Sequence, residues 1–228
     1  MVYAACGRWV ERRPARFLDA GCGEGYGAAL LASHWPGAHG VGLDYDPHAT
    51  RHARSAYGSR STAYLQGALT LIPLPDKTFD MIVSLQTVEH MWSPGDYVRE
   101  LHRVCRPGGT VVISTPNRLT FSPGLGRREK PGNLFHSREY DAEEIVGELG
   151  RWSPSLEVHQ LLGVHHGARL AAWEAVHGSI ADAQHATAPS VWSANLAAMV
   201  GSVMADDFKL SPRALDASLD LVMVLRSV

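Results

Sequence analysis

The sequence predicts an α/β fold: an open, doubly wound, mostly parallel sheet with helices on both faces. Three observations predict it. Short apolar runs alternate with helical patterns from Arg16 to Ser114. The links between them are short, as successive strand–helix units require. The first apolar run passes through a glycine loop into a helix, in Phe17-Leu-Asp-Ala-Gly-Cys-Gly-Glu-Gly-Tyr-Gly27.

The elements follow in chain order. Phe17–Ala20, Gly40–Asp44, Thr62–Gln66, Met81–Leu85 and Thr110–Ser114 read as buried parallel strands. Tyr26–His34, Pro47–Tyr57 and Asp96–Cys105 read as the helices between them, and Pro47 suits a helix first turn. Arg106-Pro-Gly-Gly109 reads as a helix stop and turn. Beyond Asn117 the pattern changes. Phe121–Gly132 reads as a loop, Asp141–Leu149 as a helix and Leu156–Leu162 as a strand. Gly167–Ser202 is mostly helical, with turn signals at Gly178 and Pro189, and Leu219–Leu225 reads as the last strand. With no internal repeat, residues 1–228 read as one domain with a helical insertion over 167–212.

Composition narrows the function classes. A chain of 228 residues with 45% apolar content can bury a core of its own. A net charge of −2 gives no electrostatic reason to expect nucleic acid or an anionic membrane as partner. Arg127-Arg-Glu-Lys130 is short and mixed in sign, and reads as a solvated loop. Cys6, Cys22 and Cys105 lack Cys-x-x-Cys spacing, so neither a disulfide framework nor a zinc site is suggested. Arg8, Glu11, Arg12 and Arg13 interrupt any secretory leader, and no apolar run approaches ~20 residues. The expected location is the cytoplasm, without a membrane span. The oligomeric state is not legible.

Glycines let the loop turn tightly and bring its backbone close to a ligand. A dinucleotide site wants Gly-x-Gly-x-x-Gly/Ala, and counting from Gly21 the sixth position is Tyr26. That argues against a NAD oxidoreductase. Asp44 ends the second strand ~20 residues after the loop, where an acid can accept hydrogen bonds from both ribose hydroxyls. The same residue could instead be a turn or cap acid beside Asp46-Pro47.

Asp19-x-Gly21-x-Gly23-x-Gly25 resembles the first motif of class I S-adenosylmethionine (SAM) methyltransferases. Val41-Gly-Leu-Asp-Tyr-Asp46, Ile72-Pro-Leu-Pro-Asp76, Phe79-Asp80 and Leu101-x-Arg-Val-x-Arg-Pro-Gly-Gly109 resemble the motifs that follow, in order. The resemblance implies SAM as cofactor and a Rossmann-like, seven-stranded sheet of order 3-2-1-4-5-7-6, with the seventh strand antiparallel. It implies that Asp19 anchors the loop and the methionine end of SAM, and that Gly21, Cys22, Gly23 and Gly25 bring the loop against it. Asp44 would hold the ribose, Tyr45 would lie beside the adenine, and Gln86 would face the methyl group. Ala68 and Leu69 would border the adenine. Ala68 stands where the family commonly has Asp or Asn, and losing that side-chain contact would weaken binding by ~1 kcal/mol. About sixteen residues precede the first strand. Relatives usually carry a helical cover there, so an open cofactor site or a chain that starts late is expected.

An oxygen acceptor usually needs a general base. With twelve histidines in the chain, position must identify it. Glu89 and His90 follow the fourth strand at the rim of the sheet. Quinone-precursor O-methyltransferases look like Glu-x-x-Glu-His there and can hold a divalent metal. The first Glu is Gln86 here, and one carboxylate fewer weakens a hard-metal site, so no metal is assigned. Asn133-Leu-Phe-His-Ser-Arg-Glu139 brings His136 to the same rim, as either a base or a loop anchor, and His165-His166 could converge there too. His136, His90 and Glu89 are the catalytic candidates.

Ser114-Thr-Pro-Asn-Arg-x-Thr-Phe-Ser-Pro-Gly124, Asn133-x-Phe-His136, His166-Gly-x-Arg169, His177-Gly-Ser-Ile-x-Asp-Ala-Gln184, Asp207-Phe208 and Ser218-Leu-Asp-Leu221 narrow the resemblance. As a set they are similar to actinobacterial sugar O-methyltransferases linked to methylglucose lipopolysaccharide synthesis. That implies a saccharide hydroxyl as acceptor, with Trp173 and Trp192 as possible stacking surfaces. A quinone-like hydroxyl, or SAM binding without catalysis, stays open.

Overall fold

The strands among the described residues are β1 Arg16–Ala20, β2 His39–Asp44, β3 Thr62–Gln66, β4 Phe79–Leu85, β5 Cys105–Pro116, β6 Leu156–His166, β7 Phe208–Ser211 and β8 Asp220–Ser227. The helices are α1 Val2–Ala5, α2 Tyr26–His34, α3 Pro47–Tyr57, α4 Pro94–Val104, α5 Arg118–Phe121, α6 Ala142–Trp152, α7 Ala168–His177, α8 Ile180–Ala186 and α9 Ala194–Gly201. This computed structural model describes residues 1–186 and 188–228, and all their side chains except 184–186. The side chain of Gln184 therefore lies outside the described residues.

The sheet order is β3-β2-β1-β4-β5-β8-β6-β7. β1 to β5 pair in parallel, and β8 runs antiparallel between β5 and β6. This is the implied order and reversed strand, with one correction. The sheet has eight strands, because the chain returning from the inserted helices adds β7 to the edge, antiparallel to Gly163–His166. β7 has four residues and no alternating burial, so it leaves little trace in the sequence. Arg169 and Asp207 fix its entry with paired hydrogen bonds. Arg106–Gly109 is also not a separate turn. β5 starts at Cys105, and these residues bulge between the Phe79–Cys105 and Met81–Thr110 pairs.

Side chains alternate across the sheet with the period of a strand. Phe17, Met81, Val83, Val112, Val222 and Val224 face one core with Leu31 of α2 and Ala53 of α3. Leu18, Ile82, Val111, Ile113, Met223 and Leu225 face the other with Leu101 of α4 and Ile145 of α6. Both faces are covered, so the strands read as apolar runs rather than as alternation.

Several motif residues turn out to shape the frame. Asp80 accepts the N–H groups of Ala15 and Arg16 at 2.7 and 2.8 Å and pairs with Arg106. Arg103 joins Glu100 and Asp76 to the carbonyls of Ile72 and Leu74, tying the Ile72–Asp76 segment to α4. Asn117 is fully buried and donates to the carbonyls of Leu215 and Ser218 at 2.9 and 3.0 Å, pinning the end of β5 to the start of β8. Arg118 is buried against Asp141, which also caps α6 through the N–H of Glu144. Arg118→Ala would remove the buried cation from that carboxylate and leave only the more exposed Arg127, at 3.1 Å, as its ion-pair partner. Breaking one side of a buried pair costs about 3 kcal/mol, or roughly 6–12 °C in Tm for a domain of this size. Thermal unfolding of the variant checks it; an unchanged Tm would contradict it.

Candidate active site

The parallel strands deliver Asp19, Asp44, Gln66 and Leu85 to one end of the sheet, where ligands of this architecture bind. The glycine loop leaves β1 there. Gly21, Gly23 and Gly25 have φ of 80°, 50° and 92°. A Cβ on Gly21 would meet Thr87 at 2.6 Å, and one on Gly25 would meet Ala53 at 2.5 Å. A Cβ on Gly23 would meet nothing within 4 Å. Two glycines thus let the loop pack inward, while the third faces open space. The Cys22 thiol is buried near Gly42 and Tyr64, and burial pushes its pKa up, so it is held as the neutral thiol.

Asp44 holds this loop in shape. Its Oδ2 accepts the Gly23 N–H at 2.8 Å and its Oδ1 accepts the Asp46 N–H at 3.0 Å. Asp46, not Asp44, caps α3, by accepting the His48 N–H at 2.7 Å. Tyr45 stands 76% exposed beside them. Ala68 is exposed at the neighbouring loop, and the Leu69 side chain packs into the core. Gln86 adopts φ 52°, its N–H bonds the Ser114 carbonyl at 3.0 Å, and its side chain is exposed.

Asp19 is fully buried. Its Oδ1 accepts the Tyr3 hydroxyl at 3.0 Å. Burial pushes the carboxyl up to about 7, against the pull of the Tyr3 hydrogen bond. The Tyr3 ring also fills the space where Gly27 lacks a side chain. A short helix, α1, therefore reaches the loop from the segment that precedes β1.

The acceptor-side candidates do meet. Donor atoms of Glu89, His90 and His136 all lie within 4.8 Å of one another. The two imidazoles stand edge to face with centroids 4.9 Å apart. Two loops make the cluster. Ser137 Oγ donates to the carbonyls of Glu89 and Met91 at 2.9 and 2.6 Å. His90 Nδ1 bonds the Phe135 carbonyl at 2.8 Å. His136 is 6% exposed, and its Nδ1 lies 2.7 Å from Glu139 Oε1. Glu89 is 1% exposed, and neither carboxylate oxygen has a hydrogen-bond partner of normal geometry. Burial, above all, pushes that carboxyl up to about 8.

Two expectations need correction. His165 and His166 do not join this cluster. They line a separate cavity of about 620 Å³ with Glu174 and Lys209, where His166 pairs with Glu174 at 2.9 Å. Trp173 and Trp192 pack into a small apolar cluster with Leu170, Ile180 and Leu196, and Trp173 also stacks on His177. The Phe121 ring lies 5.4 Å from the His136 ring, and Trp92 and Phe135 stand 90% and 81% exposed on the two loops that carry His90 and His136. Sequence reasoning also missed Glu139 and Asp220. Glu139 carried a signal, an acid three residues after His136. Asp220 starts β8, and burial pushes its carboxyl up to about 6 against a hydrogen bond with Gln86.

Residues 18–113 match the family model described as a methyltransferase domain. A probable S-adenosylmethionine-dependent methyltransferase of Mycolicibacterium smegmatis is 45% identical over 213 residues, 91% of this chain and 79% of that protein. The chain belongs to the SAM-dependent methyltransferases. SAM is accordingly its cofactor. A ubiquinone biosynthesis O-methyltransferase of Pseudomonas syringae pv. tomato is 28% identical over 68% of this chain and 72% of that protein. The SAM-dependent methyltransferase structure from Mesorhizobium loti superposes with a TM-score of 0.60 at 19% identity, covering 92% of this chain and 90% of that one. At that identity the likeness speaks for the fold alone. Among the described residues of this methyltransferase, no helix is long and apolar enough to cross a membrane.

Proposed function

We propose that residues 1–228 form one SAM-dependent O-methyltransferase domain that transfers a methyl group to a hydroxyl of a saccharide or glycolipid precursor. The observation that carries an oxygen acceptor is the cluster of Glu89, His90 and His136 at the sheet's carboxyl end. A hydroxyl must lose a proton as it attacks, whereas a carbon or sulfur nucleophile needs other surroundings. The saccharide rests on the motif resemblance from Ser114 to Leu221.

The residues divide the work by position. Each Asp44 oxygen accepts one backbone N–H and keeps a second lone pair for a ribose hydroxyl. Gly23, bare on its open side, lets the cofactor approach the loop closely. Gln86 lies beyond β4, on the methyl side. SAM, held by Asp44 and the glycine loop, would supply an electrophilic methyl group to the acceptor oxygen, with S-adenosylhomocysteine as the leaving group. The hydroxyl proton passes to the cluster. Nδ1 of each imidazole is engaged, by Phe135 or by Glu139, which leaves Nε2 as the acceptor position on His90, while His136 Nε2 would first have to release the Asn133 amide 3.1 Å away.

SAM carries positive charge at its sulfonium and ammonium groups, which favours ionised Asp19. Affinity for SAM is therefore expected to rise with pH up to the Asp19 value of about 7 and then level off. Calorimetry across that range, with Asp19→Asn as a flat control, checks it. A wild-type affinity that falls with pH would contradict the placement.

A quinone-like hydroxyl is the second reading, favoured by the exposed Trp92, Leu134 and Phe135 beside the cluster. Labelled SAM offered with α-glucan, mannan and quinone precursors separates the two. Label in the glucan supports the proposal, and label only in the quinone precursor transfers the assignment. SAM binding without transfer to any acceptor would indicate lost catalysis.

A further inference from the structure

We propose that Glu89, His90 and His136 form a binding site for one divalent transition-metal ion, with Glu139 orienting His136. The expectation of no metal followed from Gln86 replacing a carboxylate. The fold supplies a third donor from elsewhere, His136, on the loop beyond β5.

Four observations carry the site. The three donor atoms lie within 4.8 Å of one another. Around one ion, donors at ~2.0–2.2 Å stand about 3.4 Å apart, so binding would draw the three side chains together. Glu89 is 1% exposed and neither oxygen has a hydrogen-bond partner of normal geometry, an arrangement that a bound cation would relieve. Both imidazoles are held by Nδ1, His90 on a backbone carbonyl and His136 on a carboxylate, leaving Nε2 toward a ligand. A carboxylate or carbonyl behind the far nitrogen is how metal-binding histidines are oriented. The Asn133 amide nitrogen, 3.1 Å from His136 Nε2, is the group an ion would displace.

Two imidazoles and one carboxylate suit zinc, cobalt, manganese or ferrous ions better than magnesium or calcium, which favour all-oxygen shells. Three protein ligands leave coordination positions open. If this rim is the acceptor site, as proposed above, adjacent hydroxyls of the acceptor would fill them. The ion would then acidify the attacking hydroxyl, whose proton would pass to solvent, because in the metal-bound state the imidazoles are ligands and not proton acceptors.

The test reads binding without turnover. Chelator-treated protein is titrated with Co²⁺, following visible absorption and calorimetry, with Mg²⁺ as competitor. The expected result is one equivalent bound, little displaced by Mg²⁺. Glu89→Gln and His136→Ala should each weaken binding at least about 10-fold. Glu139→Gln should weaken it about 10-fold through loss of orientation. SAM affinity should stay unchanged in Glu89→Gln, which keeps the side chain's shape and reports that the fold is intact. No bound equivalent, or undiminished Co²⁺ affinity in both Glu89→Gln and His136→Ala, would overturn the site. Cobalt binding that depends on these residues, in a protein that methylates none of the acceptors tried, would leave the metal site standing and overturn the acceptor reading instead.

Discussion

His136→Ala is expected to lower turnover about 100- to 1,000-fold while SAM affinity stays within about 2-fold of wild type. The split follows from geometry. His136 contacts His90, Asn133 and Glu139 on the loops beyond β4 and β5. Of the cofactor candidates, Gly23 lies on the loop beyond β1, Asp44 ends β2 and Tyr45 follows it. Removing the imidazole takes away the proton acceptor, or a metal ligand, without touching the glycine loop. It also leaves buried Glu139 without its partner, at a cost of about 1–3 kcal/mol. Thermal unfolding should therefore accompany the kinetics, so that a fall in kcat is read on folded protein. Unchanged turnover would reduce His136 to a loop anchor.

Asp44→Ala should abolish measurable SAM binding, a loss of at least about 100-fold. The carboxylate accepts the N–H groups of Gly23 and Asp46, and its removal releases both the glycine loop and the turn into α3. Charge-assisted hydrogen bonds contribute about 1.5–3 kcal/mol each, and the ribose contacts would be lost with them. Asp44→Asn should fall between, since an amide keeps one accepting oxygen. Calorimetry decides it, and wild-type affinity in Asp44→Ala would remove the residue from the cofactor site.

Much of this was legible because the relevant signals are local. The apolar runs of β1 to β5 and the loop from Gly21 to Gly25 are contiguous in the chain. The roles of the acids were not separable by spacing. Asp44 and Asp46 both sit in Val41-Gly-Leu-Asp-Tyr-Asp46, and only hydrogen bonding shows that Asp46 caps α3 while Asp44 holds Gly23. Asp80 and Arg103 carry motif positions, yet they tie backbone segments together. The acceptor side was less legible because it is assembled across distance. Which of twelve histidines meets Glu89 depends on Ser137 fastening one loop to the other, a tertiary contact without periodicity. Trp173 and Trp192 misled for the opposite reason. Trp173, on α7, and Trp192, in the link before α9, pack into the same small cluster, and the exposed Trp92 lies in a loop without a pattern.

The central claim is methyl transfer from SAM to a saccharide oxygen. The most direct measurement is two-dimensional NMR of the glucan product formed with ¹³C-methyl SAM. The account predicts a single methyl carbon bonded through oxygen to a glucosyl carbon. A product methylated on carbon or nitrogen, or an unmodified glucan from enzyme that binds SAM, would contradict it.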